Sequence, residues 1–157
     1  HVVLLDFKSL YPSIIRTFKI DPLGLWAPGD NPIDGFLGAQ FARNDAILPT
    51  LIDELWAARD AAKRANDAPL SQAIKIIMNA FYGVLGSNGC RFFDPRLASS
   101  ITRRGHEVLK RSRDYLEAQG LKVIYGDTDS LFVLVTDARD SAGARTRGEV
   151  LAADLNA

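Results

Sequence analysis

Leu121-Lys122-Val123-Ile124-Tyr125-Gly126-Asp127-Thr128-Asp129-Ser130-Leu131-Phe132-Val133-Leu134-Val135 is the stretch on which the fold turns. Runs rich in β-branched and aromatic residues stand on either side of Gly126–Ser130, the composition of two strands bounding a turn. Leu121 to Tyr125 and Leu131 to Val135 therefore read as a β-hairpin with carboxylates at its tip. On an extended segment Asp127 and Asp129, two residues apart, point to the same side and repel. Magnesium resolves such a repulsion, because it takes a few carboxylate oxygens together with waters and substrate phosphates. An ordinary polar turn accounts for the same letters, since aspartate and glycine are common turn residues.

Upstream of the hairpin, Asp94-Pro95 is a helix start, a capping carboxylate followed by proline at the first position. That helix is expected to run to Gln119 and to stop at Gly120. At the other end of the chain, Val2 to Leu5 is a short apolar run that reads as a buried strand ending in Asp6. A carboxylate there is expected to be buried, and a buried charge needs a cation, a metal or backbone donors. The alternative is that Asp6 caps the turn before Tyr11, where a short helix begins and continues through Phe18.

Residues 20–47 are rich in proline and glycine (Pro22, Gly24, Pro28, Gly29, Pro32, Gly35, Gly38) and read as a long connection without a strong regular element. Leu48 to about Asn66 then places Leu48, Leu51, Ile52, Leu55 and Trp56 at helical spacing. After the Asn66-Asp67-Ala68-Pro69 break a second helix runs from about Leu70 to Leu85, with Ile74, Ile77, Phe81 and Leu85 as its apolar stripe. So short a break makes the two helices antiparallel neighbours. Lys75, Asn79 and Tyr82 share one face of the second helix, and Arg59 and Lys63 share one face of the first. Antiparallel packing can gather Arg59, Lys63 and Lys75 into a cationic cluster for a polyphosphate; solvation of all three is the plainer account. From Asp137 the chain turns polar, and Glu149 to Leu155 reads as a helix cut short.

The 157 residues, 47% hydrophobic and 24% charged, match an average globular domain and exclude a collagen, a disordered tail and a disulfide scaffold. No apolar run reaches the ~18 residues of a membrane span. The single cysteine, Cys90, fits a reducing compartment. The 19 basic and 19 acidic groups cancel, yet residues 1–58 carry a net −3, residues 59–113 a net +7 and residues 114–157 a net −4. A basic middle between acidic flanks suits a phosphate-binding surface beside a metal-binding one, although Arg103, Arg104, Lys110, Arg111 and Arg113 serve equally as a solvated helix face. The chain opens inside a strand and without methionine, which suggests a piece of a longer protein.

Three stretches, taken in order, resemble the three polymerase motifs of the family B DNA polymerases: Asp6-Phe7-Lys8-Ser9-Leu10-Tyr11-Pro12-Ser13-Ile14, Lys75-Ile76-Ile77-Met78-Asn79-Ala80-Phe81-Tyr82-Gly83 and Tyr125-Gly126-Asp127-Thr128-Asp129-Ser130. The wording around them, including Cys90-Arg91-Phe92-Phe93-Asp94-Pro95-Arg96, is similar to bacterial members, and the resemblance covers roughly residues 2–136. It implies an α+β architecture: a palm with a small antiparallel sheet and fingers made of an antiparallel two-helix hairpin. The implied segments are a first palm part over 1–47, fingers over 48–86 and a second palm part over 87–157, cut before a thumb. It implies addition of deoxynucleoside triphosphates to a primer 3′ end on template DNA, with two magnesium ions, which manganese can replace. Asp6 and Asp129 match the catalytic and metal-binding aspartates, Phe7 lends a backbone carbonyl to a metal, and Asp127 is a less essential third carboxylate. Arg59, Lys63, Lys75 and Asn79 match contacts to the incoming triphosphate, and the Ser9, Leu10 and Tyr11 backbone offers amides to its phosphates. Tyr11 matches the ring that excludes a 2′-hydroxyl, and Tyr82 a residue beside the nascent pair, unless it is simply core.

Ala80 departs from the pattern, standing where many relatives carry serine. The resemblance further implies a bacterial cytoplasmic, nucleoid-associated setting, work in replication or repair, and a sliding clamp as a partner through regions outside this chain. The isolated segment is expected to be a poor polymerase. Two rivals stand beside this reading. A reverse transcriptase usually has adjacent aspartates, whereas Thr128 separates them here. A catalytically inactive, nucleic-acid-binding relative tends to lose the carboxylates that this chain keeps.

Overall fold

The computed structural model describes residues 1–156 and holds eleven elements among them: β1 (Val2–Asp6), α1 (Leu10–Thr17), α2 (Pro22–Trp26), β2 (Ile33–Asp34), β3 (Gln40–Phe41), α3 (Ile47–Arg64), α4 (Ala68–Leu85), α5 (Pro95–Ala118), β4 (Lys122–Asp127), β5 (Ser130–Leu134) and α6 (Ser141–Leu155). They form two compact units, one of His1–Lys8 with the chain from Gly105 onward, the other of Ser9–Arg104. The mixture of helices with small antiparallel sheets is the expected α+β class.

In the first unit β5 lies between β1 and β4, antiparallel to both. Alternation gives this sheet an inner and an outer face. Leu5, Leu131 and Val133 point inward and join Leu116 of α5 and Leu151 of α6 in one buried core, with Val3, Leu109 and Val123 packed against it. Val2, Leu4 and Tyr125 point outward and are about half exposed. Strand β4 breaks step at Ile124: Val123 pairs with Val133, but Tyr125 pairs with Phe132. This bulge reverses the facing of everything after it. Gly126 consequently lies over the core, where an added Cβ would meet Leu131 at 3.2 Å, and Asp127 turns outward.

Helix α6 was legible only from Glu149 on; it starts eight residues earlier because Asp140 caps it, accepting from Gly143 N–H at 2.7 Å. Its Gly148 touches β1 so closely that a Cβ would sit 2.6 Å from Val3 Cγ1. Gly148→Ala is therefore expected to force α6 off the sheet and lower stability by about 1–3 kcal/mol. Thermal unfolding of the two chains measures this, and an unchanged midpoint would refute the close approach.

The second unit wraps around Ile14, Ile15, Ile20, Phe41, Ile52, Met78, Leu97 and Ile101, all almost fully buried. Residues 20–47 are more regular than their composition suggests. Asp21 caps the short helix α2, and Ile33–Asp34 pairs with Gln40–Phe41 as a small hairpin. Helices α3 and α4 fold back on one another across Ala65–Asp67, and α1 packs against both. The buried face of α4 is Ile74, Met78 and Leu85; Ile77, assigned to that stripe from spacing, is 49% exposed.

Helix α5 begins as expected, at a cap reinforced by an ion pair. Asp94 accepts from Arg96 N–H at 2.8 Å and from the Arg96 guanidinium at 2.7 Å. The guanidinium hydrogen bond above all, helped by the backbone bond and the opposite charge and opposed by burial, holds the Asp94 carboxyl below its ordinary 3.8. A depressed folded-state pKa means stabilisation that is complete above 3.8 and lost as the pH falls through the lower folded value. Acid unfolding of the wild type should therefore carry a component below pH 3.8 that Arg96→Ala loses. Parallel acid limbs in the two proteins would contradict the assignment.

Candidate functional site

The carboxylate end of the first unit is built by strand register. Asp6 closes β1, Asp127 closes β4, and both pair with Ser130, the first residue of β5. Directly paired residues share a face, so Asp6, Ser130 and Asp127 form one row across the outer face. Ser130 Oγ donates to Asp6 Oδ1 at 3.0 Å, across 124 residues of sequence. Phe7 N–H donates to the Asp129 carbonyl at 2.8 Å, carrying the ladder one residue beyond β1. Thr128 and Asp129 are the two loop residues, and Thr128 takes φ 41, an uncommon value for a β-branched side chain. Its Oγ1 donates to Asp127 Oδ1 at 3.0 Å.

Two expectations change here. Asp6 is exposed rather than buried, because it lies on the outer face at the strand end. Asp127 and Asp129 do not share one extended segment: the chain reverses between them, leaving Asp127 exposed and Asp129 half-buried. What unites Asp6, Phe7, Asp127 and Asp129 is position at one end of one sheet. Ser130 and Thr128, whose hydroxyls hold two of the carboxylates, were not singled out from sequence. Only cross-strand register reveals the Ser130 bond.

The donor set suits magnesium in kind: hard carboxylate oxygens at an exposed strand end, two of them bonded by hydroxyls. Among the described residues no three His, Cys, Asp or Glu side chains form a metal-sized group. Register explains this, since Asp6 and Asp127 stand two strand spacings apart, about 10 Å. Magnesium needs only one or two protein carboxylates when substrate phosphates supply the rest.

The second unit carries the cations and the aromatic pair. Tyr11 lies in the first turn of α1, entered through Ser9 at φ 53 and ψ 55 without a side-chain cap. The helix makes its first backbone bond only from Ser13 N–H to Ser9 O, so the Leu10 and Tyr11 amides precede the hydrogen-bonded turns. Tyr11 and Tyr82, both half-buried, tilt against each other with ring centroids 4.7 Å apart. Arg59, on α3, has Nε and Nη1 buried with no hydrogen-bond partner, a costly state for a cation. Lys75 and Asn79 are exposed on α4, and Lys63 is exposed, 4.0 Å from Asp60. Counted from Asn66, Arg59 and Lys75 stand level to within about 3 Å along the helix pair, while Lys63 lies about 9 Å nearer the turn than Lys75. The helical hairpin thus matches Arg59 with Lys75 better than it matches either with Lys63.

Comparison with known proteins follows the same lines. The sequence profile described as DNA polymerase family B matches residues 36–157. DNA polymerase II of Escherichia coli (strain K12) is 54% identical over 161 aligned residues, covering 99% of this chain and 21% of that protein. A DNA polymerase of Thermococcus gorgonarius is 32% identical over 153 residues, 88% of this chain and 20% of its own length. Among solved structures, the family B DNA polymerase of the hyperthermophilic archaeon Pyrobaculum calidifontis superposes with a TM-score of 0.72 at 29% identity, covering 92% of this chain and 21% of the other. The chain spans about a fifth of the length of these relatives.

Proposed function

The chain belongs to DNA polymerase family B, and from that premise we propose that it is the palm-and-fingers segment of a DNA-directed DNA polymerase. The substrates in this reading are a primer–template and deoxynucleoside triphosphates, and the setting is a bacterial cytoplasm. Replication or repair synthesis and a sliding clamp follow from the same reading through parts of the polymerase beyond this segment.

In this reading Asp6 and Asp129 would hold the divalent cations, with the Phe7 carbonyl as a further oxygen and Asp127 as an outer carboxylate. Magnesium held there would supply acidification of the primer 3′ hydroxyl and neutralisation of charge on the triphosphate and the pyrophosphate leaving group. Ser130 keeps the Asp6 carboxylate in one orientation, as hydroxyls behind metal ligands commonly do. Arg59 and Lys75 take triphosphate oxygens. Lys63 and Asn79 add contacts along the same helices, and the Ser9–Tyr11 backbone offers amides to phosphate. Tyr11 is the wall against a 2′-hydroxyl, steadied by Tyr82.

The observation that carries the reading is the Ser130–Asp6 bond with the Phe7–Asp129 bond beside it. Together they unite the first and third motifs at one sheet end. A chimera in which this chain replaces the matching fifth of E. coli DNA polymerase II tests it. Magnesium-dependent extension of a primer by deoxynucleotides is the expected result. A folded, DNA-binding chimera that extends nothing would overturn it in favour of an inactive relative.

A further inference from the structure

Helix α3 starts without a cap of its own: Ala46 occupies the N-cap position and offers no side-chain acceptor. The leading N–H groups of a helix must find partners outside it. One of them, Leu48 N–H, donates at 2.7 Å to Oδ1 of Asp21, 27 residues upstream. The other oxygen of Asp21 accepts from Leu23 and Gly24 N–H, at 2.9 and 3.1 Å, where it caps α2. Asp21 is 1% exposed, so one buried carboxylate ties the starts of two helices together. A half-open apolar pocket of about 290 Å³, lined by Asp21, Leu23, Leu48, Leu51, Phe81 and Leu85, lies beside this tie. Apolar contacts are non-directional, so the polar ties near the root of α3, the Asp21–Leu48 bond and the Arg16–Asp53 ion pair, are the ones that fix its direction.

We propose that Asp21 is a positioning residue for nucleotide binding, setting the pitch of α3 and with it the reach of Arg59. The inference rests on the reading of Arg59 as a triphosphate contact. Arg59 lies eleven residues beyond Leu48, about 16 Å along the helix, so each 4° of tilt at the root displaces it by about 1 Å. Displacements of that size cost up to about a hundredfold where a charged group must meet its target.

The test uses the chimera with E. coli DNA polymerase II and single-nucleotide incorporation. Asp21→Ser keeps a hydroxyl able to cap α2 but too short to reach Leu48. It is expected to raise the KM for deoxynucleotide about tenfold with kcat within about twofold. Asp140→Ala removes an equivalent cap from α6, which is outside the nucleotide-binding reading, and should lower the unfolding temperature without moving KM. The double variant Asp21→Ser/Ala46→Ser caps α3 locally. Its stability should recover while KM stays high, which also guards against a poorly folded single variant. A wild-type KM in Asp21→Ser, or a KM that returns in the double variant together with stability, would show that Asp21 is only a cap and refute the proposal. Arg59→Ala separates the two levels. An unchanged KM there refutes the triphosphate reading and this inference with it, whereas a raised KM beside an unchanged one in Asp21→Ser refutes the inference alone.

Discussion

Asp129→Asn, and separately Asp6→Asn, is expected to reduce magnesium-dependent extension by the chimera at least about a thousandfold, with the unfolding temperature within about 2 °C of the parent. The two halves of that expectation have different causes. Asparagine keeps the shape of aspartate and, at position 6, keeps an acceptor for Ser130 Oγ, so the strand-end bond at 3.0 Å survives. The Asp129 bond to Phe7 uses a backbone carbonyl and is untouched by the side chain. Only the negative charge is lost, and a hard dication depends on it. Asp127→Asn should cost far less, about ten- to a hundredfold. Asp127 stands beyond Ser130 in the row, about two strand spacings from Asp6, and so is expected to contribute field more than ligation. The rank order is the discriminating measurement, read as kcat/KM beside manganese binding by each variant. Equal losses at all three positions would mean a simple acidic patch, and activity retained in Asp129→Asn would remove the metal role from the hairpin.

The same site shows why some of the structure was legible and some was not. The hairpin, the helix pair and the Asp94 cap all rest on neighbours in sequence, and periodicity, turn chemistry and capping report such relations directly. The facing of Asp127 does not. It depends on a bulge at Ile124 that carries no glycine or proline signal, and without that extra residue Asp127 would point into the core. The exposure of Asp6 was misjudged for a related reason. Four apolar residues before it suggested a strand buried on both faces, whereas only Val3 and Leu5 pack inward and Val2 and Leu4 stay about half exposed. Helix α2 carries a local signal, the Asp21-Pro22 start that matches Asp94-Pro95, but is only five residues long in a proline- and glycine-rich stretch. The β2–β3 hairpin and the tie from Asp21 to α3 rest on remote partners. Phe36 N–H donates to Ser100 Oγ at 3.0 Å, and Asp21 serves Leu48 as well as its own helix. Long-range polar partners of this kind leave no local pattern to read.

Tyr11→Ala should lower the preference for deoxy- over ribonucleotides by about a hundredfold, through faster ribonucleotide incorporation more than through slower deoxynucleotide incorporation. A wall against one hydroxyl works only if it cannot recede. Tyr11 has little room to do so: it sits in the first turn of α1 before Pro12, whose φ is fixed, and its ring leans on Tyr82 at 4.7 Å. Close-packed rings yield by tenths of an ångström, less than an added oxygen requires. Tyr11→Phe keeps the ring and should keep most of the selectivity. Tyr82→Ala removes the support and leaves the wall, so its selectivity should fall between those of Tyr11→Phe and Tyr11→Ala. Paired kcat/KM values for dCTP and CTP in the chimera give the order directly. Unchanged discrimination in Tyr11→Ala would dismiss the ring as the wall. Equal losses in Tyr82→Ala and Tyr11→Ala would instead assign selectivity to the packed pair, the geometry in which each ring fixes the other.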